Sequence, residues 1–425
     1  MRILFTTAWY PNRKVAGDGV FIQKHAQAIS SLHDVAVLMV QTDVAVRGLR
    51  IEMEEKASSE HLHELLVYVP KTRFEVPVLT GLLRLFWLMA GYLKGYRYIK
   101  RNWWQGSRPD VCHVNVLTRA AGLPWLLSKL HKIPYIITEH WSRYAHPEAY
   151  PSSRLQWFWG KRFVSDAAYV CPVSLNLEQN MKRCGLENKH YVRVGNVVDT
   201  EVFLSAQGRE VEIATQQCSL GDVSVVGKLS GSVPNVGPRF VHVSWMRDEA
   251  KNISGILRVL SQLKVEGLKF HMDFIGEGND KERLMAYAEE LGLTDFVSFL
   301  PAQSGVSLAE SIGRHDAMVM FSNYENQPVS ILEALSCGLP VIATAVGSIP
   351  AMLAANRGIT VEPRNESQLT EVLRSFVVVW NRRTETERQQ DGLPALRHQY
   401  VTDHHSPQTI ARQFDALYRS AGNLF

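Results

Sequence analysis

"ENQPVSILEALSCGLPVIAT" occupies residues 325–344. Its residue types come in the order of a helix, a stop and a strand. Pro328 suits the first turn of a helix, where its missing N–H is no loss. Val329, Leu332 and Leu335 recur at helical spacing and give the segment one apolar face. Gly338 is placed for a left-handed C-cap, and "PVIAT" (340–344) reads as a buried strand. Two carboxylates frame this unit: Glu325 in the loop before the helix and Glu333 inside it.

The same rhythm runs along the chain. "RILFTT" (2–7), "VAVLMV" (35–40), "VCHVNV" (111–116), "PYIIT" (134–138) and "AAYVCPVS" (167–174) have strand length and composition. "GVFIQKHAQAISSL" (19–32) has a helical face of Phe21, Ile22, Ala26 and Ile29, and Ser174 stands as an N-cap. "RFVHVS" (239–244), "FHMDFI" (270–275), "FVSFL" (296–300) and "DAMVMFS" (316–322) alternate with helical segments at 252–265 and 279–291. Such βα alternation implies parallel sheets covered on both faces.

At 425 residues the chain exceeds one core, so two domains are expected. The polar, Gly- and Ser-rich stretch 205–238 reads as the junction. It separates an N-terminal domain, 1–204, from a C-terminal domain, 239–405, with a terminal helix at 406–425 crossing back to the N-terminal domain. Both domains read as Rossmann-like, doubly wound α/β units. Ligands of such sheets bind beyond the carboxyl ends of the strands, which puts the expected site in a cleft between the two.

Free N–H groups near residues 327–330, from Gln327, Pro328's neighbours and Val329, would favour an anion. A phosphate there, flanked by carboxylates, matches a nucleotide sugar. Glu333 would take ribose hydroxyls and Glu325 those of the sugar. The pair alone reads more readily as a solvated loop residue and part of an exposed helix face, because short motifs recur by chance.

Composition narrows the classes. Hydrophobic residues make up 46% and charged residues 21%, an ordinary globular balance. Five scattered cysteines without a C-x-x-C pair argue against a disulfide framework or a zinc cluster and for a reducing compartment, read as the cytoplasm. The opening MRILFTTAWYP is too short and β-like for a signal peptide. Residues 1–200 carry 26 Lys and Arg against 16 Asp and Glu, and the remainder carries 20 against 26, so one half is suited to an anionic partner. Within 71–108 there are eight Lys and Arg and one Glu. The segment 76–106 is interrupted by Arg84 and Lys94, so it reads as an amphipathic helix, either at an anionic membrane surface or covering a core. No nucleic-acid recognition module is legible.

In these motifs the chain resembles the GT-B fold retaining glycosyltransferases of family GT4, the glycosyl transferases group 1. The hallmark is Glu325, seven residues, Glu333-Ala334, "CGLPVIAT" and the small-residue loop "AVGSIP" (345–350). "RPDVCHVN" (108–115), "ITEHW" (137–141), "VRVGNVVDTEVF" (192–203) and "DFIGEGND" (273–280), with the Gly-x-Gly turn at Gly276, match the family in order. The resemblance implies a metal-independent transferase using a nucleotide-diphosphate sugar and needing no cofactor. Its acceptor would be a glycan or lipid-linked molecule in bacterial cell-surface polysaccharide synthesis. It further implies that Glu325 orients the donor sugar, Glu333 holds the ribose, and Lys251 of "SWMRDEAKN" (244–252) neutralises the pyrophosphate. His140 would contact the sugar, and Gly19 or Gly17 of "AGDGVF" (16–21) would let the backbone approach the leaving phosphate, with Gly19 preferred.

Two departures stand out. Asn326-Gln327 replace the family's usual Gly-Phe, and the usual phosphate-binding arginine position is Met246, with Arg247 one residue along. Arg247 then either fills that role or is a surface residue. His113 reads as packing. Two rival functions share the fold: a nucleotide-sugar 2-epimerase, which would need acid and base groups around the sugar ring, and a non-catalytic sugar-nucleotide-binding protein, which would lack Glu325, Glu333 or Lys251.

Overall fold

A computed structural model describes residues 1–15, 17–71, 77–145, 153–204, 237–382 and 393–424. The chain divides into two compact units, Met1–Val197 with Pro407–Phe425, and Val198–Ser406.

The first unit runs β1 (Arg2–Thr7), α1 (Val20–Ser30), β2 (Asp34–Asp43), β3 (Glu52–Ser59), β4 (Leu62–Pro70), α2 (Pro77–Asn102), β5 (Val111–Asn115), α3 (Gly122–His131), β6 (Tyr135–Glu139), α4 (Arg154–Asp166), β7 (Tyr169–Pro172) and α5 (Leu175–Arg183). Its strands lie in the order β3-β4-β2-β1-β5-β6-β7, parallel except where β3 meets β4. Alternate residues of β1 serve opposite layers, as strand geometry requires. Leu4 packs with Trp87 and Tyr92 of α2 and Leu127 of α3, whereas Ile3 and Phe5 pack with Ile22 and Ile29 of α1. The order reverses at β1, between β2 and β5.

The second unit runs β8 (Arg239–Val243), α6 (Asp248–Lys251), α7 (Ile253–Val265), β9 (His271–Ile275), α8 (Lys281–Glu290), β10 (Val297–Leu300), α9 (Gly305–Ile312), β11 (Ala317–Met320), α10 (Val329–Ser336), β12 (Val341–Thr344), α11 (Ile349–Leu353), β13 (Gly358–Val361), α12 (Glu366–Arg382) and α13 (Leu393–His405). All neighbours in the order β10-β9-β8-β11-β12-β13 are parallel, and the order reverses between β8 and β11. The last helix, α14 (Pro407–Ala421), packs Ile410, Phe414 and Tyr418 into the first unit beside α1. Both units are Rossmann-like and doubly wound, the GT-B combination.

Several local expectations meet their physical cause. Ser174 caps α5 by accepting the N–H of Leu177. Gly338 holds φ +84 just past α10. Pro328 is the N-cap of α10 in extended conformation, and the helix starts one residue later, at Val329. Residues 198–204 pack with the second unit: the Val198 N–H bonds to the His405 carbonyl at 2.9 Å, and buried Phe203 accepts from Ser336 Oγ at 2.6 Å. Of the expected junction, 205–238, residues 205–236 lie outside the described residues. The segment 76–106 forms α2, but Trp87, Leu88, Tyr92, Tyr96 and Ile99 are buried against the sheet, so most of its length is a core helix. Among the described residues no helix is long and apolar enough to cross a membrane.

Candidate functional site

In open parallel sheets the loops leaving adjacent strands diverge where the strand order reverses, and this opens a crevice at their carboxyl ends. In the second unit those loops follow β8 and β11. They carry Lys251 and Glu325.

The β8 loop is fixed from below. Met246 is fully buried, its N–H bonds to the Glu277 carbonyl at 2.7 Å, and its carbonyl accepts from Asp280 at 3.2 Å. This contact explains the Gly276-x-Gly278 turn: a Cβ at Gly276 would collide with the Ser244 carbonyl, and one at Gly278 with the Met246 backbone. Asp248 opens α6 and also accepts the N–H of Ser254 at 2.8 Å, and Asn252 ends the turn in left-handed conformation. Lys251 thus projects from the last position of a single turn.

The β11 loop is clamped to it. The Asn323 N–H bonds to the Ala250 carbonyl and its side-chain amide to the Glu249 carbonyl, both at 2.8 Å. The "AVGSIP" loop closes over the other side. Ser348 donates through N–H and Oγ to the Asn326 carbonyl, at 3.0 and 2.6 Å. Gly347, at φ +59, lies where a Cβ would strike the Glu325 carbonyl. Between these clamps the Glu325 carboxylate receives Lys251 Nζ at 2.5 Å and Ser322 Oγ at 2.9 Å, both on Oε1. The structure therefore joins two candidates 74 residues apart in sequence. Glu333 sits on α10 at 6% exposure, which sets aside the exposed-face reading. Asn326 is buried, while Gln327 and Val329 are half-buried beside Pro328 at the entry to α10.

Arg247 is an exposed residue that pairs with Glu249 at the start of α6. The position before it, Met246, is core.

The first unit presents its candidates differently. His140 follows β6 with its ring 4.5 Å from Phe21 and 5.3 Å from His25, and it hydrogen-bonds with Asn196. Burial first, then the neighbouring His25 and His113, pushes its pKa well below the usual value, so the ring is neutral near pH 7. The residue before it, Glu139, was passed over by the sequence reading. It is fully buried and accepts the N–H groups of Leu117, His140 and Trp141 at 2.8, 2.9 and 2.8 Å, together with the Tyr144 hydroxyl at 3.2 Å. Burial raises its pKa and these bonds counter the rise only in part. Glu139 ties the β5 and β6 loops together and fixes the backbone of His140. A polar residue closing a buried strand was the available signal.

Gly19 begins α1 at φ +62, and a Cβ there would come within 2.6 Å of the Trp9 backbone, whereas one on Gly17 would meet nothing. The contact with Trp9 accounts for Gly19 by itself. His113 is buried between the Tyr418 hydroxyl at 2.7 Å and Thr138 Oγ1 at 2.6 Å, a packing residue as read. Among the described residues no group of three or more His, Cys, Asp or Glu is placed to hold a metal ion.

Two family descriptions match the chain: Glycosyl transferase 4-like domain over residues 17–197 and Glycosyl transferases group 1 over residues 233–390. A Bacillus subtilis (strain 168) glycosyltransferase assigned to teichuronic acid biosynthesis, TuaC, is 22% identical across 95% of this chain and 98% of its own length. A D-inositol 3-phosphate glycosyltransferase of Actinosynnema mirum is 42% identical, but over 79 residues, 19% of this chain and 18% of that relative. Among solved structures, sucrose-phosphate synthase of Thermosynechococcus elongatus superposes with a TM-score of 0.74 at 16% identity, covering 100% of this chain and 99% of that one. HepE of Anabaena, solved with UDP-glucose, superposes at 0.68 with 15% identity, covering 99% of this chain and 100% of that one. At such identities the superpositions speak for the fold alone.

Proposed function

The chain belongs to the glycosyl transferases group 1 family, and from that premise we propose that it moves a sugar from a nucleoside-diphosphate sugar to a glycan or lipid-linked acceptor, with retained anomeric configuration and without a metal. The observation that carries the reading is the Lys251–Glu325 contact where the strand order of the second sheet reverses, with Glu333 buried on the helix that follows.

Among the described residues Glu325 Oε2 accepts no hydrogen bond, and Lys251 gives one of its three donors. Both groups keep capacity for a ligand. On binding, Lys251 and the α10 N–H groups face the diphosphate, Glu325 takes sugar hydroxyls, and Glu333 takes the ribose. Breaking the bond from C1 to the phosphate oxygen leaves positive charge on the sugar and negative charge on the phosphate, which a fixed cation and fixed N–H groups stabilise. The acceptor oxygen bonds to C1 on the face the phosphate leaves, and its proton passes to that phosphate. The first unit's own candidate is His140, neutral and with its backbone held through Glu139. TuaC, a relative assigned to teichuronic acid biosynthesis, and HepE, a neighbour solved with UDP-glucose, support the acceptor and donor classes.

A panel of UDP-, GDP- and ADP-sugars, read by thermal shift on wild type and Glu333→Ala, tests this. One sugar nucleotide should raise the melting temperature by mass action, and the mutant should lose the shift. NMR of the product then gives the anomeric configuration, and activity should survive EDTA. An epimerase would instead change the free donor with no acceptor present. The absence of any shift across the panel would overturn the reading.

A further inference from the structure

Among the described residues, exposed large apolar side chains are mostly scattered, but in two places they repeat at helical spacing. On α2 they are Leu82, Leu85 and Phe86, and on α4 they are Leu155, Phe158 and Trp159. Both sets follow i, i+3, i+4, so each forms a stripe on one side of its helix. The six residues keep between 38% (Trp159) and 64% (Leu155) of their surface exposed.

The stripes belong to one surface. The helices α2, α3 and α4 cover the same face of the first sheet, packing Leu88, Leu127 and Val164 into a common core. Helix α3 lies between the other two: Gly122 faces the Met89 thioether of α2, and Trp125 meets Trp159 of α4 with ring centres 5.4 Å apart. A helix that follows a parallel strand starts at the carboxyl end of that strand and runs back along the sheet. Residues 82–86 and 155–159 lie in the first halves of helices that follow β4 and β6. Both stripes therefore sit toward the edge of the sheet that also carries His140.

The polar residues around them have one sign. Together α2, α3 and α4 hold nine Lys and Arg and a single acid, Asp166. That acid is already engaged by Lys129, Arg162 and the Trp125 indole at 2.9, 3.0 and 2.9 Å. The charges within a turn of the stripes and outside the Asp166 pairs are Arg84, Arg154 and Lys161. A face that is apolar at its crest with such cations beside it repels a second copy of itself and complements an anionic lipid surface, where aromatic and aliphatic crests enter the headgroup layer and cations meet phosphates.

We propose that the α2 and α4 stripes together form a two-helix foot that seats the first unit on an anionic bilayer, with Leu82, Phe86, Leu155 and Phe158 as its inserted side chains. This deepens the lipid-linked acceptor reading, and rests on it for its purpose. It also relocates the membrane contact expected over 76–106: the buried two-thirds of α2 take no part, and α4 contributes half.

The test is sedimentation of the full chain with vesicles of phosphatidylcholine alone and with added phosphatidylglycerol, without any sugar nucleotide. Wild type should pellet with the anionic vesicles and release as salt rises from about 0.05 to about 0.5 M, which shortens the Debye length from above about 10 Å to well below it. Leu82→Ser/Phe86→Ser and Leu155→Ser/Phe158→Ser should each lower the partition coefficient by about tenfold or more. Val265→Ser, an exposed residue of the second unit, should change nothing. All variants should keep the wild-type melting temperature and sugar-nucleotide shift, which separates this proposal from that of the transferase site. Wild type left in the supernatant at low salt, or equal binding to neutral vesicles, overturns the proposal. Loss in only one double variant overturns the two-helix foot. A dimer in light scattering that either double variant splits would make the face a subunit contact and overturn it as well.

Discussion

Two ion networks sit at opposite ends of the second sheet, and they are built to different ends. At the carboxyl end Glu325 has Lys251 and Ser322, with both contacts on one oxygen. Toward the amino end, buried Asp273 is ringed by Arg239 at 3.0 Å, His315 at 2.8 Å and His271 at 3.0 Å, so that both oxygens are used. His315 in turn bonds to the Ser311 carbonyl, and His271 to Ser298. The Asp273 network is closed on itself and pins β8, β9 and the end of α9. The Glu325 pair is held just as firmly through its backbone but is left half-open at its side chains. A charge committed on every side serves the fold, and a charge with unspent hydrogen-bonding capacity can serve a ligand.

The largest expected effect on that contrast comes from Lys251→Ala or Glu325→Gln. Each should lower kcat by at least about a hundredfold, the range seen when a fixed group that stabilises developing charge is removed. The urea midpoint should move little, and a large stability loss would show this pair to be structural as well. Asp273→Asn should do the converse: about 3 kcal/mol of stability lost by stranding buried partners, with sugar-nucleotide affinity per folded molecule unchanged. Burial raises the Asp273 pKa, but the bonds from His271, His315 and Arg239 outweigh it and hold the group well below the ordinary carboxylate range. The folded value lies below the unfolded value of about 3.9, so this stabilisation is complete above that pH and is lost as pH falls below it. Acid unfolding of the second unit below about pH 4 should therefore be blunted in Asp273→Asn.

Gly347→Ala should fall between these. The added Cβ pushes on the Glu325 carbonyl, and a displacement on the order of 1 Å lowers kcat by up to about a hundredfold. If activity is kept, the "AVGSIP" loop does not position Glu325. The smallest effect is expected from Glu249→Ala, which releases Arg247 from an exposed pair. Stability should stay within about 0.5 kcal/mol, while affinity for a nucleoside diphosphate should rise by less than about tenfold. Unchanged affinity would place Arg247 outside the reach of the phosphates.

The sequence was most legible where one residue's neighbours in space are its neighbours in the chain. The αβ unit at 325–344 could be read from Pro328, the apolar spacing and Gly338. The antiparallel β3, by contrast, went unread because Glu52, Glu54, Glu55 and Lys56 fill four of its first five positions, as charges do on edge strands. Its partner β4 is joined to β2 by pairing that no local pattern announces. The pattern of α2 left a membrane face and a core-covering face both open, and burial of Trp87, Leu88, Tyr92, Tyr96 and Ile99 gives the second for most of its length. Resemblance brought Lys251 and Glu325 together as roles, but only folding brought them together as a 2.5 Å contact. Glu139 shows the limit: its place at the end of a buried strand is visible in the sequence, but its partners, mostly backbone N–H groups of two loops, are not.

The closing helix α14 has a consequence for how the protein is made. His113 finds its Tyr418 partner 305 residues later, and His33 finds Asp415 from the same helix at 3.1 Å. A chain emerging from the ribosome at about 5–20 residues each second has every strand of its first sheet available long before the helix that covers one face. The second unit, whose strands and helices are contiguous in the chain, can be complete while the first still waits with that face covered by α1 but not yet by Ile410, Phe414 and Tyr418. Birth order and folding order are thus reversed, and the nascent first unit is where a chaperone has the longest time to act.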